Sequence, residues 1–225
     1  MGHPQTLLSL FNQTLWMSPL FFHDEKILQD FNDIYDEVKQ SQGLIIDLRF
    51  NGGGNSSIAA EILSHFTNKN LEGSIWKTKK HIAAFKAWGN YSEKYKSYAK
   101  DNAWESGTME LLKAKENIHI VPTYVLIGRQ TASAAEDFLI YADKLKHFTT
   151  IGEKTYGSTG QPIFFDLPGG GSFRICTKRD TYPDGREFVG YGITPQVIID
   201  RMPVHLRSEK DIVLSSSIKK LQEKI

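Results

Sequence analysis

The chain has 225 residues, of which 40% are hydrophobic and 24% charged, a balance that suits one large folded domain and disfavours disorder. Its formal net charge is +1 with lysines spread among acids, so no basic face exists for a nucleic acid and no partner of that class is expected. The single cysteine, Cys176, excludes an intramolecular disulfide, and no Cys/His cluster has zinc spacing, so no metal or other cofactor is expected.

Residues 1–23 carry apolar stretches around Leu7 to Leu10 and Leu15 to Phe22, interrupted at Asn12-Gln13-Thr14. They lack a basic n-region and a small-residue cleavage site, and they read as a leader of uncertain structure rather than a signal peptide or a membrane span. Over 24–41, Ile27, Leu28, Phe31, Ile34, Tyr35 and Val38 recur at helical spacing. The run Leu44-Ile45-Ile46-Asp47-Leu48-Arg49 is the near-continuous apolar kind found in strands covered on both faces. A turn with Gly52, Gly53 and Gly54 follows, and Asn55 or Ser56 can cap a helix through Ile58, Ile62 and Phe66.

Residues 74–116 read as a strand over 74–85 followed by an exposed helical insertion. The aromatic group from Trp76 to Trp104 either fills the insertion's core or lines a surface. A second buried strand over 118–127 leads through Gly128-Arg129-Gln130 into a helix over 132–146, repeating the first unit. Strands at 148–152, 161–167 and 172–179 come next, the last two joined by Pro168-Gly169-Gly170-Gly171 as a hairpin, with Cys176 packed in the second. A short strand at 197–199 and an amphipathic helix at 209–224 close the chain. The pattern is α/β, a mainly parallel sheet flanked by helices with an additional antiparallel hairpin. The organisation is a leader (1–23), a core domain (24–205) with its insertion, and a terminal helical segment (206–225).

Both strand-turn-helix units aim their turns at one crevice. Ser133, near the start of the second helix, lies where unpaired backbone N–H groups can hold a developing oxyanion. Read alone, Thr131 or Ser133 with Glu136 equally forms a capping box. The glycine turn has neither the P-loop nor the dinucleotide pattern.

Four segments taken together in order resemble the S41 family of serine peptidases, the tail-specific or C-terminal processing peptidases. They are 43–54 (GLIIDLRFNGGG), 131–136 (TASAAE), 151–161 (IGEKTYGSTGQ), and 181–186 (TYPDGR) with 192–195 (GITP). The resemblance covers about residues 27–200 and implies a ClpP/crotonase-like core. It implies Ser133 as nucleophile, the amides of Ala134 and of Gly53 or Gly54 as oxyanion hole, and a polypeptide substrate. Asp47 and Arg49 read as a structural pair at a strand end.

The lysine of the family's Ser-Lys branch is replaced by Ser158, which has no proton-accepting form at neutral pH, and Lys154 lies four residues away. The Gly157-Ser158-Thr159-Gly160-Gln161 form looks like the tricorn-like branch, whose base is a histidine oriented through a second serine and a glutamate, here Glu187. That histidine and a PDZ-like insertion lie upstream in the branch, with helical parts, and the chain is expected to lack them. Its own histidines, His3, His23, His65, His81, His119, His147 and His205, stand outside the family motif. The alternatives are a non-catalytic module binding peptides or hydrophobic ligands, or a truncated product. A homo-oligomer completing the cleft is compatible with this reading. The family is usually exported, so the compartment stays open.

Overall fold

In the computed structural model, which describes residues 6–11, 14–19, 22–79, 83–100, 104–199 and 211–225, the two apolar runs become β3 (Gly43–Asp47) and β6 (Thr123–Ile127). Every residue of both is buried, which demands cover on both faces. Leu44, Ile46, Val125 and Ile127 pack with α1 (Lys26–Asp33), α3 (Ser56–Ser64) and α6 (Ala134–Ala142). Ile45, Tyr124 and Leu126 face the other way, against Val213 and Leu221 of α7 (Ile212–Gln222).

These strands centre a six-stranded sheet ordered β1 (Thr6–Phe11), β2 (Thr14–Pro19), β3, β6, β7 (Phe148–Gly152), β11 (Val197–Ile198). β1 is antiparallel to β2, and the other five strands run parallel. The α/β class expected from the sequence is therefore the one observed. β2 pairs with β3 from Thr14↔Gly43 to Met17↔Ile46, so the segment ahead of residue 24 enters the sheet. Pairing of Asp47 with Leu126 sets the carboxyl ends of β3 and β6 side by side, where open α/β sheets hold their ligands.

The helix expected over 24–41 is divided at Ile34 (φ −101°, ψ 2°) into α1 and α2 (Tyr35–Gln40), with Ile27, Phe31, Tyr35 and Val38 buried across the break. The insertion carries β4 (Ile75–Lys79), α4 (Ala83–Trp88), a 3-10 turn (Glu93–Tyr95), α5 (Lys96–Lys100) and β5 (Trp104–Thr108). β4 is the middle of an antiparallel sheet ordered β10 (Arg179–Thr181), β4, β5. The expected hairpin forms from β8 (Ile163–Asp166) and β9 (Ser172–Ile175). Its pairs Ile163↔Ile175 and Phe165↔Phe173 put four large apolar residues on one exposed face, the phenyl rings stacked at 4.7 Å.

Candidate active site

The turn after β3 meets the turn after β6 at Gly53 and Ser133. Gly53 has φ +108°, and a Cβ there would stand 2.5 Å from Ser133 Cβ and 3.0 Å from its Oγ. Only glycine lets the two backbones approach this closely. Asn51 fixes the turn, its Oδ1 accepting from the Gly53 amide at 2.9 Å and its Nδ2 donating to the Pro19 carbonyl at 3.0 Å. Next to it Gly54, at φ +137°, lies against Phe22, where a Cβ would fall 2.2 Å from the Phe22 carbonyl oxygen. The Gly53 amide, one of the expected oxyanion-hole donors, is thus engaged by Asn51. The amides of Gly54 and Ala134 make no hydrogen bond among the described residues.

Ser133 stands at φ +56°, ψ −123°, whereas an N-cap residue is ordinarily extended. This is strained backbone for a residue with a Cβ, and it persists only when its surroundings over-determine it. The Ser133 amide donates to the Ser158 carbonyl at 2.9 Å and to Glu136 Oε2 at 3.2 Å. Glu136 is fully buried and gathers three further donors: Thr155 Oγ1 at 2.5 Å, the Gly157 amide at 2.8 Å and the Ser158 amide at 2.9 Å. Burial raises its pKa against the pull of these hydrogen bonds. Glu136 therefore does more than complete the capping box foreseen in the sequence. It ties the 155–158 segment to the serine's backbone.

Ser133 lines a cleft of about 720 Å³ with Gly54, Asn55 and Ser56 on one side and Thr159, Gly160, Gln161 and Pro162 on another. Trp76 and Thr78 of β4, Met109, Thr177, Lys178, Asp137 and Asp180 complete its walls. Lys178 Nζ reaches Asp180 Oδ1 at 2.8 Å. Asp137 accepts from Ser56 Oγ at 2.6 Å and Ser74 Oγ at 3.2 Å, and burial with help from the Asp180 charge pushes its carboxyl up to about 6. None of these acids was singled out in the sequence, since Asp137 hides inside an apolar helix and Asp180 in a three-residue strand.

The model of peptidase family S41 matches residues 18–199. The chain belongs to peptidase family S41. The carboxy-terminal processing protease CtpA of Bacillus subtilis is 26% identical over 176 residues, which cover 77% of this chain and 32% of that protein. A carboxy-terminal-processing protease of Bartonella bacilliformis is 24% identical over 196 residues, covering 83% of this chain and 40% of the other. The matched region thus spans 32% and 40% of the length of these curated relatives. Among solved structures, a Parabacteroides merdae protein superposes with a TM-score of 0.76 at 20% identity, covering 98% of this chain and 65% of that one. These structural likenesses show the fold.

Within this S41 domain the remaining expected residues fall into place or away from it. Glu187 is exposed and paired with Arg179 Nη2 at 3.0 Å. It lines a different depression, with Asp143, Tyr182 and Arg186, and the structure does not bring it to Ser133. No described histidine lines the Ser133 cleft. His23 borders the Gly54 turn through its backbone, His65 is packed against Phe31 and Tyr35, and His119 and His147 bond the carbonyls of Ser41 and Phe66. His3, His81 and His205 lie outside the described residues. Lys154 is exposed and absent from the cleft walls.

Arg49 clamps Asp47 with Nε and Nη2 at 2.9 and 2.6 Å and reaches Asp211 with Nη1 at 2.9 Å, a structural ion cluster as its position implied. Cys176 is exposed, not packed, and follows β9, whose four residues are exposed as well. The aromatic group divides: Phe85, Trp88, Tyr95 and Tyr98 cluster in the insertion, Phe85 on Tyr95 at 5.1 Å, while Trp76 joins the cleft. Among the described residues no acid or histidine group could hold a metal, and no helix is long and apolar enough to cross a membrane.

Proposed function

We propose that this S41 domain is a serine-type endopeptidase core that cleaves polypeptide chains through an acyl-enzyme on Ser133. The observation that carries the reading is the strained Ser133 backbone, pressed against Gly53 and flanked by the two unspent amides of Gly54 and Ala134. Ser133 Oγ attacks the scissile carbonyl carbon and gives its proton to a base. The carbonyl oxygen becomes an oxyanion between the Gly54 and Ala134 N–H groups, the amine leaves with a proton, and water releases the acyl group. Such donors act most strongly when fixed before the reaction, and Glu136 fixes the Ser133 side of the hole through four hydrogen bonds. We assign Glu136 this positioning role in place of Glu187.

In this reading the base is a histidine from another segment or chain, as in the tricorn-like branch that the Gly157-Ser158-Thr159-Gly160-Gln161 form resembles. Lys178, which lines the cleft, is engaged by Asp180 Oδ1 at 2.8 Å and is not assigned as the base in this reading. The carboxy-terminal processing proteases among the relatives make polypeptides the substrate class, and a homo-oligomer would bring a second chain to the cleft's open side.

Exposure to a fluorophosphonate tests the assignment. The expected result is one covalent adduct, mapped to Ser133 by peptide mass and lost in Ser133→Ala. A folded protein that takes no adduct between pH 6 and 9 would sink it. Saturable peptide binding, indifferent to Ser133→Ala and without any adduct, would establish instead a non-catalytic binding module.

A further inference from the structure

The cleft beside Ser133 contains two buried oxygen atoms without partners. Asp180 is 0% exposed, and while its Oδ1 takes the Lys178 ammonium at 2.8 Å, its Oδ2 accepts nothing from the described residues. Thr159, 4% exposed, has an equally unpartnered Oγ1. Both residues line the cleft with Ser133, and so does Asp137, whose two oxygens are already taken by Ser56 and Ser74. A buried acceptor without a donor is left with its desolvation cost uncompensated, the more so when it is charged. Such a group in a substrate cleft is satisfied when the substrate brings the donor.

The charge count selects which donor. Asp137 and Asp180 oppose the single positive charge of Lys178, so with both acids ionised the cleft keeps one negative charge in excess. An acidic substrate side chain would face two carboxylates. A small apolar one would leave Asp180 Oδ2 buried and unpaired. A side chain carrying several N–H groups and a positive charge meets both needs, and the cleft's volume of about 720 Å³ admits one as long as arginine.

We propose that Asp180 and Thr159 form a specificity subsite beside Ser133 that receives a lysine or arginine side chain of the substrate polypeptide. The proposal deepens the peptidase reading and rests on it. The ammonium or guanidinium donates to Asp180 Oδ2 and to Thr159 Oγ1, while Lys178 stays on Oδ1 and Asp137 supplies the excess charge from the adjoining wall.

Peptidyl diphenyl phosphonates that differ only in the residue next to phosphorus provide the test on the full chain. The expected order of second-order labelling at Ser133 is arginine and lysine first, alanine about 10-fold slower, glutamate slowest. In Asp180→Asn the ratio of arginine to alanine rates falls toward one. Thr159→Val, which removes only a hydroxyl, lowers the same ratio by about 3-fold and serves if Asp180→Asn melts early. Equal rates for arginine and alanine in the unaltered protein, or a preference that persists unchanged in both variants, would overturn the subsite. If a plain fluorophosphonate leaves Ser133 unmodified, the peptidase reading fails by itself. The subsite is then read from anisotropy of fluorescent peptides on Ser133→Ala, where an arginine peptide binds more tightly than its alanine analogue or the proposal falls.

Discussion

Glu136 shows how one residue can be legible in type and misread in role. Its spacing from Ser133 gives a capping box, and the contact with the Ser133 amide at 3.2 Å is indeed made. Sequence spacing has no means of showing that the chain returns after β7 and lays Thr155, Gly157 and Ser158 on the same carboxylate. Ser133 itself was ambiguous for the same reason, and its φ of +56° separates it from an ordinary cap. Glu187 shows the converse limit, since a motif position carries no information on where a side chain turns, and this one turns to Arg179. Removing the Glu136 carboxylate leaves three donors of the 155–158 segment without an acceptor, at about 1–3 kcal/mol each. Glu136→Ala is therefore expected to lower unfolding stability by at least about 3 kcal/mol in a urea titration. In molecules that remain folded it should also slow fluorophosphonate labelling, because the Ser133 backbone loses its clamp.

At the scale of elements, β3 and β6 were readable because burial on both faces leaves a continuous apolar run with no alternation to interpret. Two of the strands that escaped notice, β5 and β10, have no such signal: Trp104–Thr108 is a mostly exposed edge containing Glu105, Ser106 and Gly107, and Arg179–Thr181 has only three residues. Both exist because β4 offers each of its edges a partner. The docking of α7 was equally hidden, since its link to the sheet runs through Arg49 to Asp211, 162 positions away. Asp211 also caps α7, accepting from the Leu214 amide at 3.0 Å. Arg49 is 6% exposed and Asp47 3%, so breaking the cluster strands a buried carboxylate, a loss of about 3–5 kcal/mol in comparable cases. Arg49→Met should cost that much by denaturant unfolding and raise amide hydrogen exchange in α7 ahead of α3 and α6. Uniform exchange across all three helices would show that Arg49 does not hold α7 in particular.

Across the whole molecule, buried titratable groups pull stability in opposite directions over one pH interval. His65, packed between Phe31 and Tyr35 with the Lys115 ammonium at 2.9 Å from its Nε2, is held down from 6.5 to about 4, chiefly by burial and then by the Lys115 charge. The folded state thus binds fewer protons than the unfolded chain, and the stability this gives is present above pH 6.5 and lost as pH falls toward 4. Asp137 has the reverse sign. Its carboxyl is raised from 3.8 to about 6, so the folded state binds more protons in that interval and stability declines as pH climbs from 3.8 to 6. Each shift corresponds to roughly 3 kcal/mol at full extent, and the two therefore largely offset each other between pH 4 and 6. Glu136 is shifted in the same direction as Asp137, and His119 and His147 in the same direction as His65. Differences from the unaltered protein isolate each contribution. His65→Phe, which keeps an aromatic ring between Phe31 and Tyr35, removes the acid-side loss, so its stability relative to the unaltered protein rises as pH falls from 6.5 to 4. Asp137→Asn removes the opposite contribution, and its relative stability falls as pH drops from 6 to 4. Unfolding free energies at pH 4, 5, 6 and 7 decide the matter, because two parallel difference curves, rather than two of opposite slope, would show that the acid in the cleft wall and the histidine in the core do not titrate as their surroundings require.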